Sequence, residues 1–427
     1  MRGFVRQFRS FDGPVRLLMV QQFTINTAFY MLMPYLAIHL SGGLGMAAWA
    51  VGLVLGVRNF SQQGMFLIGG TLADRLGCKN VIITGCVLRT VGFGLLGLVD
   101  SLPALILASA LTGFAGALFN PAVRAHLARE AGERRVEAFA LFNVFYQVGM
   151  FVGPLIGLSL IALNFRMVCA VAALLFLGLT LVQIRALPDR GRPFEAGEGR
   201  QGVLADWRAV ASNRPFLLFS AAMIGSYVLS FQVYLALPLQ AQRAAPGSGD
   251  GVTTALFAVS AGVAAAGQLR ITAWARARWS PGRSVVYGLA LMGGAFAPLV
   301  VAGAPPGGEG PLIRAAALVP LFLAAALLAL GTALVYPFEM DTVVTLSGDR
   351  LVATHYGLYN TISGVGITVG NLATGAVWDA SAEQPRLPWL VLCGVGLMCA
   401  AAVAALMRTG RLGQFRAGRA REPVPQR

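Results

Sequence analysis

Two arginines lie deep inside apolar stretches of this 427-residue chain: Arg58 within 49–72 and Arg89 within 80–99. In lipid a buried guanidinium costs ~2.5–3.5 kcal/mol on insertion scales, so it normally faces a partner or water. No Asp or Glu sits mid-stretch in the first half of the chain. The local partners on offer are Gln62, one helical turn beyond Arg58, and Asn120, Asn143 and Gln147. Each arginine is then either a hydrogen-bond strut between helices or a cation for an anionic or zwitterionic substrate group. Arg58 has a third option, since its long side chain can snorkel outward.

Other polar side chains recur at helical spacing. Asn26 and Tyr30 are four apart and share a face, as do Asn143 and Gln147. Tyr227 and Tyr234 share another face with Ser230 between them, and Asn360 occupies the position equivalent to Asn143 in a repeat described below. These residues are expected on the wall of one binding cavity, with satisfied interhelical contacts as the alternative for any one of them. Nearby aromatic rings and Met31, Met33 and Met150 suit a broad apolar ligand. Glu339 and Asp341 follow Pro337, and His355 follows them. One of the two carboxyls could carry a coupling proton if desolvation raised its pKa; the alternative is an ordinary solvated loop carboxylate. His39 and His126 have no neighbours that would complete a metal site, and there is no nucleophile elbow, phosphate-binding loop or HExxH pattern. No catalytic residue, metal or cofactor is expected, and the chain is read as a non-enzyme.

What must hold these residues in place is a membrane. Hydrophobic residues make up 56% of the chain and charged residues 12%, too few charges to coat a soluble domain of this size. About 20 mostly apolar residues span the hydrocarbon layer. Such spans are read at 17–40, 49–72, 80–99, 104–128, 138–162, 166–186, 215–241, 252–276, 284–303, 313–337, 353–378 and 388–408. The period-two alternation of a membrane barrel is absent, so the expected fold is an all-α membrane protein with twelve transmembrane helices.

The charge of +15 is not spread evenly. With the N-terminus in the cytoplasm, 27 of the 33 Lys and Arg residues fall on cytoplasmic segments or the adjoining ends of the spans. That bias sets both termini in the cytoplasm. The basic tail beyond Arg408 reads as a topology anchor against anionic lipid, and a nucleic-acid partner is not expected. The organisation is read as a six-helix bundle at 1–186, a polar cytoplasmic linker at 187–214 and a second six-helix bundle with tail at 215–427. Within the linker, 203–211 has the pattern of a short amphipathic helix lying along the membrane surface.

The two halves repeat. Residues 35–40 read YLAIHL and 234–239 read YLALPL; 117–121 read ALFNP and 333–337 read ALVYP. At matching offsets Gly132-Glu-Arg aligns with Gly348-Asp-Arg, Leu141-Phe-Asn with Leu358-Tyr-Asn, Gly149 with Gly366 and Gly153 with Gly370. Several matches in one order indicate duplication of a six-helix unit, giving two pseudo-symmetric bundles. Parallel repeats of this kind are one of the two repeat styles of secondary transporters.

The loop at 69–79 reads GGTLADRLGCK. It resembles the G-x-L-A-D-R-x-G-R-K signature of the major facilitator superfamily, matching at Gly70, Leu72, Ala73, Asp74, Arg75, Gly77 and Lys79 and departing at Cys78. Gly77 permits a tight turn. Asp74 can pair with a nearby arginine or accept hydrogen bonds from a helix N-terminus, which makes it a candidate latch; an ordinary charged turn is the plainer reading. Residues 149–158 read GMFVGPLIGL and resemble the G-x-x-x-G-P-x-x-G-G signature of the superfamily's drug:proton antiporter branch. Gly149, Gly153, Pro154 and Gly157 match; Leu158 does not. Glycines four apart also serve simple close helix packing. A third signature, an arginine in the fourth span, is missing, with Ser109 in its place, which puts proton coupling by that route in doubt. The stretches around Arg58 and FNPA in the fourth span are similar to the MdtH-type multidrug exporters of this superfamily.

The resemblance implies alternating access around a site between the two halves and export of small amphipathic compounds, with protons as the coupling ion. No oligomer is needed, so a monomer in the bilayer is expected. A metabolite importer or facilitator on the same fold is the alternative. A membrane-embedded enzyme or receptor is a further one, and it would need a polar catalytic cluster or a sensing domain that the sequence does not show.

Overall fold

The computed structural model describes residues 2–161, 163–188, 202–245, 249–303, 311–379 and 384–410. These residues form twelve helical passes: Gly13–Ile38; Ala48–Gln63 continued by Phe66–Leu76; Cys78–Leu98; Leu102–Ala131; Arg135–Ile161; Phe165–Ala186; Arg214–Phe231 continued by Ala236–Ala244; Gly249–Arg278; Pro281–Gly294 continued by Ala297–Ala302; Pro311–Ser347; Val352–Asp379; and Leu387–Arg408. Two short helices, Arg2–Arg9 and Val203–Ala211, lie outside the passes. The basic tail beyond Gly410 and most of the linker before Gly202 fall outside the described residues.

The protein is a multi-pass membrane protein. Eight helical stretches are long and apolar enough to cross a membrane, and together they contain nine of the twelve passes. The first, second and eleventh passes fall short for visible reasons. The first carries Gln21, Gln22 and Asn26, and the eleventh carries Asn360 and Asn371. The second is broken at Gly64 and Met65 into segments of 16 and 11 residues. The large side chains that remain exposed are mostly apolar, such as Leu174, Leu177, Leu181 and Ile184 along the sixth pass. Contiguous exposed apolar surface of that kind fits lipid as solvent.

Packing divides the chain into two units, Met1–Ser212 with Arg350–Val365, and Asn213–Asp349 with Gly366–Arg427. Phe93, Phe119 and Phe176 are fully buried in the first; Phe219, Phe296 and Trp389 are fully buried in the second. The duplication shows in the helix contacts. A Cβ on Gly153 in the fifth pass would lie 2.7 Å from the Thr27 carbonyl of the first pass. Its repeat mate, Gly370 in the eleventh pass, packs on Val228 of the seventh. The fourth pass ends at Gly132 with φ +51°, and the tenth is followed by Gly348 with φ +61°. Both positions need a left-handed backbone that glycine adopts without a Cβ clash.

Candidate functional site

The passes of the first unit bring the two buried arginines together. The Arg58 and Arg89 Cζ atoms each lie 5.0 Å from the ring centroid of Phe29 in the first pass, and Arg89 also lies 5.3 Å from Phe176. Arg58 donates to Asn59 Oδ1 at 2.6 Å and reaches Gln62 Oε1 at 3.5 Å, as its one-turn spacing suggested. Arg89 is 5% exposed. A Cβ on Gly116 would lie 3.0 Å from Arg89 Nη2 and 3.1 Å from the Gln62 amide carbon, so the fourth pass makes room for both by omitting a side chain. Tyr30 shares a hydrogen bond of 3.2 Å with Tyr146 Oη of the fifth pass and packs edge-on against Phe29.

Asn26 is buried and turns its amide onto the Gln22 carbonyl of its own helix, at 2.7 Å. Asn143 is buried, while Asn120 and Gln147 are half-buried. In the second unit Tyr234 packs against Phe231 and Phe257. Its helical register with Tyr227 is lost, because the seventh pass stops at Phe231 and resumes at Ala236. Pro238 is the physical cause: it has no N–H, and its ring clashes with the carbonyl four residues back, that of Tyr234. Spacing alone therefore no longer places the two tyrosines on one face. Asn360 accepts a hydrogen bond from Arg124 of the fourth pass at 2.7 Å.

The 69–79 loop holds the start of the eleventh pass. Asp74 is 5% exposed and accepts hydrogen bonds from Ala353 N (3.2 Å), Thr354 N (2.7 Å) and Thr354 Oγ1 (2.7 Å). The helix begins at Val352, so these are N–H groups of its first turn, which have no partner within their own helix. Leu351, just before it, is apolar and cannot cap. Asp74 is therefore an N-cap supplied by another helix, with a negative charge at the positive end of the dipole. Gly70 lies directly against the Ala353 carbonyl, leaving no space for a side chain. Gly77 takes φ +89° in the turn that follows. Lys79 lies half-buried beyond that turn.

Arg75 faces the other way. Its Nε and Nη2 bond Asp206 Oδ2 at 2.8 and 2.6 Å, and Trp207 donates to Thr71 Oγ1 at 2.8 Å. The helix Val203–Ala211 has the bounds its amphipathic pattern gives, yet this polar edge packs it on the first unit. Part-exposed ion pairs are worth about 0–1 kcal/mol. Asp206→Ala is thus expected to leave the unfolding temperature nearly unchanged while speeding tryptic cleavage at Arg208. Unchanged cleavage would mean that Trp207 and Val210 seat the helix without the pair.

Gly149, Gly153 and Gly157 face successive turns of the first pass, at Phe23, Thr27 and Met31. Tyr35 donates to the Pro154 carbonyl at 2.8 Å. The row is a helix crossing at backbone contact. Glu339 is buried in the second unit and Asp341 is half-buried there. His355, in the first unit, places Nδ1 2.9 Å from the Leu351 carbonyl.

The sequence reading did not include Phe29, Phe176 or Tyr146. The signal for Phe29 was only its place beside Tyr30, since cation–π contacts across separate passes leave no local pattern.

The chain is similar to known proteins over most of its length. The sequence model of the Major Facilitator Superfamily matches residues 18–371. A Mycobacterium tuberculosis protein described as an uncharacterized MFS-type transporter is 55% identical over 401 residues, 94% of each chain. Multidrug resistance protein MdtH of Salmonella arizonae is 28% identical over 386 residues, covering 89% of this chain and 90% of its own. Among solved structures, a mutant of the peptide transporter POT in complex with sulfate matches with a TM-score of 0.65 at 16% identity, over 94% of this chain and 95% of that one. The human organic anion transporter MFSD10 matches with a TM-score of 0.62 at 15% identity, over 92% and 99%. At those identities the structures speak to the fold alone.

Proposed function

This chain belongs to the Major Facilitator Superfamily and is a transporter, and on that footing we propose that it exports small amphipathic compounds by alternating access, driven by the proton gradient. The observation that carries export is the near full-length similarity to proteins named multidrug resistance protein MdtH. The glycine row at 149–157 lends support through its likeness to the antiporter signature. The substrate is received by the polar and aromatic side chains around Phe29, Tyr30, Arg58, Gln62 and Arg89. The Asp74 cap on Ala353 and Thr354 acts as the latch that is broken and remade in each cycle. Both termini face the cytoplasm of a bacterial inner membrane, and the protein works as a monomer in lipid. Glu339, with Asp341 beside it, is the candidate proton carrier, because it is a buried carboxyl within the tenth pass.

The test is accumulation of a panel of fluorescent amphipathic compounds in cells stripped of their own exporters. Expression is expected to lower accumulation of at least one compound severalfold, and a protonophore should restore it. Accumulation that rises on expression would mean import and would overturn the reading. Efflux indifferent to the protonophore would remove proton coupling.

A further inference from the structure

Two guanidinium groups share one aromatic ring in the first unit, and among the described residues no carboxylate pairs with either. Arg58 and Arg89 both sit 5.0 Å from the Phe29 centroid. The hydrogen-bond acceptors that Arg58 meets, Asn59 and Gln62, are neutral amides. Arg89 is 95% buried, and its Nε has no hydrogen-bond partner. An arginine serving only as a strut would direct that N–H at a carbonyl, because an orphaned buried donor forfeits its hydrogen bond to water without replacing it. Residues 13–72, 80–128 and 138–186 contain one acidic residue, Asp100, and it pairs with Arg166. Asp74 is spent on Ala353 and Thr354. Two like charges this close in a low-dielectric setting repel each other, and the remedy is a counter-charge.

We propose that Arg58 and Arg89 form an anion subsite that takes the carboxylate or sulfonate of an aromatic amphipathic ligand. This rests on the transport reading above and names the substrate class for that same site. Exposure is graded in the right sense. Arg58, Gln62, Phe29 and Tyr30 are partly exposed, and Arg89 lies beneath them. The anion meets the outer guanidinium first and is then held between two planar forks suited to oxyanions. Phe29 is the ring against which both forks rest, and the paired Tyr30 and Tyr146 hydroxyls border the aromatic body of the ligand.

The experiment compares two probes of one aromatic skeleton, anilinonaphthalene sulfonate and the uncharged N-phenylnaphthylamine. Both are titrated into the full chain in phosphatidylcholine nanodiscs, with empty discs subtracted. The wild type is expected to bind the sulfonate about tenfold tighter than the neutral probe, the worth of one charge-assisted hydrogen bond. Arg89→Gln should bring the two affinities within about twofold, chiefly by weakening the sulfonate, while Arg89→Lys keeps part of the preference. If Arg89→Gln fails to fold, Arg58→Gln carries the same test, because Arg58 is partly exposed. A preference that survives both substitutions overturns the proposal, as does a wild type with no saturable sulfonate binding. Adding phosphatidylglycerol to the discs separates the sources of anion: competition points to a lipid phosphate in the subsite, its absence to a soluble ligand. Binding is read without a gradient. Lost export with intact preference therefore counts against the transport reading, and intact export without preference counts against the anion subsite.

Discussion

Asp74→Ala is expected to abolish most transport while leaving ligand binding within about threefold of wild type. The side chain closes the first turn of the eleventh pass with three hydrogen bonds, two of them at 2.7 Å to Thr354. Nothing else nearby can replace it, because Leu351 has no polar side chain and Gly70 has none at all. Loss of a charged cap costs about 2–3 kcal/mol, which moves a two-state equilibrium roughly 30- to 160-fold. The state in which the latch is made then becomes too rare to be visited at each turnover. Asp74→Asn should be milder, since one oxygen remains to accept from Thr354 while the new amide faces the Ala353 N–H. Hydrogen exchange of the 350–358 segment reads the latch directly. Protection unchanged in Asp74→Ala would show that the cap does not hold that segment.

The sequence made the passes legible because lipid forces each crossing to be a long apolar helix, and no other feature of the chain competes with that signal. It also made the duplication legible, since Gly149 and Gly153 recur as Gly366 and Gly370, the first pair packed on the first pass and the second pair on the seventh. The breaks within passes were hidden. Hydropathy averaged over 20 residues does not register Gly64–Met65, or the interruption before Pro238, though each redirects the side chains beyond it. Asp74 could be singled out from its motif, and a helix N-terminus was one of two partners considered for it. Which helix could not be read, because Thr354 is 280 residues away and carries no matching pattern. The amphipathic period fixed the helix at Val203–Ala211, but periodicity does not say what the polar edge meets. Asp206 and Trp207 meet Arg75 and Thr71. The arginine site was half legible. Arg58 and Arg89 stood out by charge, whereas Phe29 and Tyr146 looked like any other aromatic residue in a membrane helix.

Gly153→Val is expected to cost the folded protein itself, and the repeat supplies the contrast that makes the result interpretable. A Cβ at Gly153 would meet the Thr27 carbonyl at 2.7 Å and the Met31 amide at 3.0 Å, both backbone atoms of the first pass. Backbone in a packed helix cannot step aside, so the first and fifth passes must separate. Overpacking of this sort costs about 1–3 kcal/mol, and valine adds two methyl groups to the clash. At the repeat mate, Gly370, the obstacles are the methyl groups of Val228, a side chain. Gly370→Val is thus expected to be milder, though still destabilising. At Gly94 and Gly178 a Cβ meets nothing within 4 Å, and alanine there should leave the unfolding temperature unchanged. The readout is the fraction of monomeric, cooperatively unfolding protein after detergent extraction. The expected order of loss is Gly153→Val, then Gly370→Val, with the two alanine variants at wild-type level. The first pass carries Asn26, Phe29 and Tyr30, so any Gly153→Val protein that survives extraction should also bind the aromatic sulfonate weakly. Equal loss at Gly153 and Gly370 would mean that the crossing tolerates separation and that the glycine row serves something other than close packing.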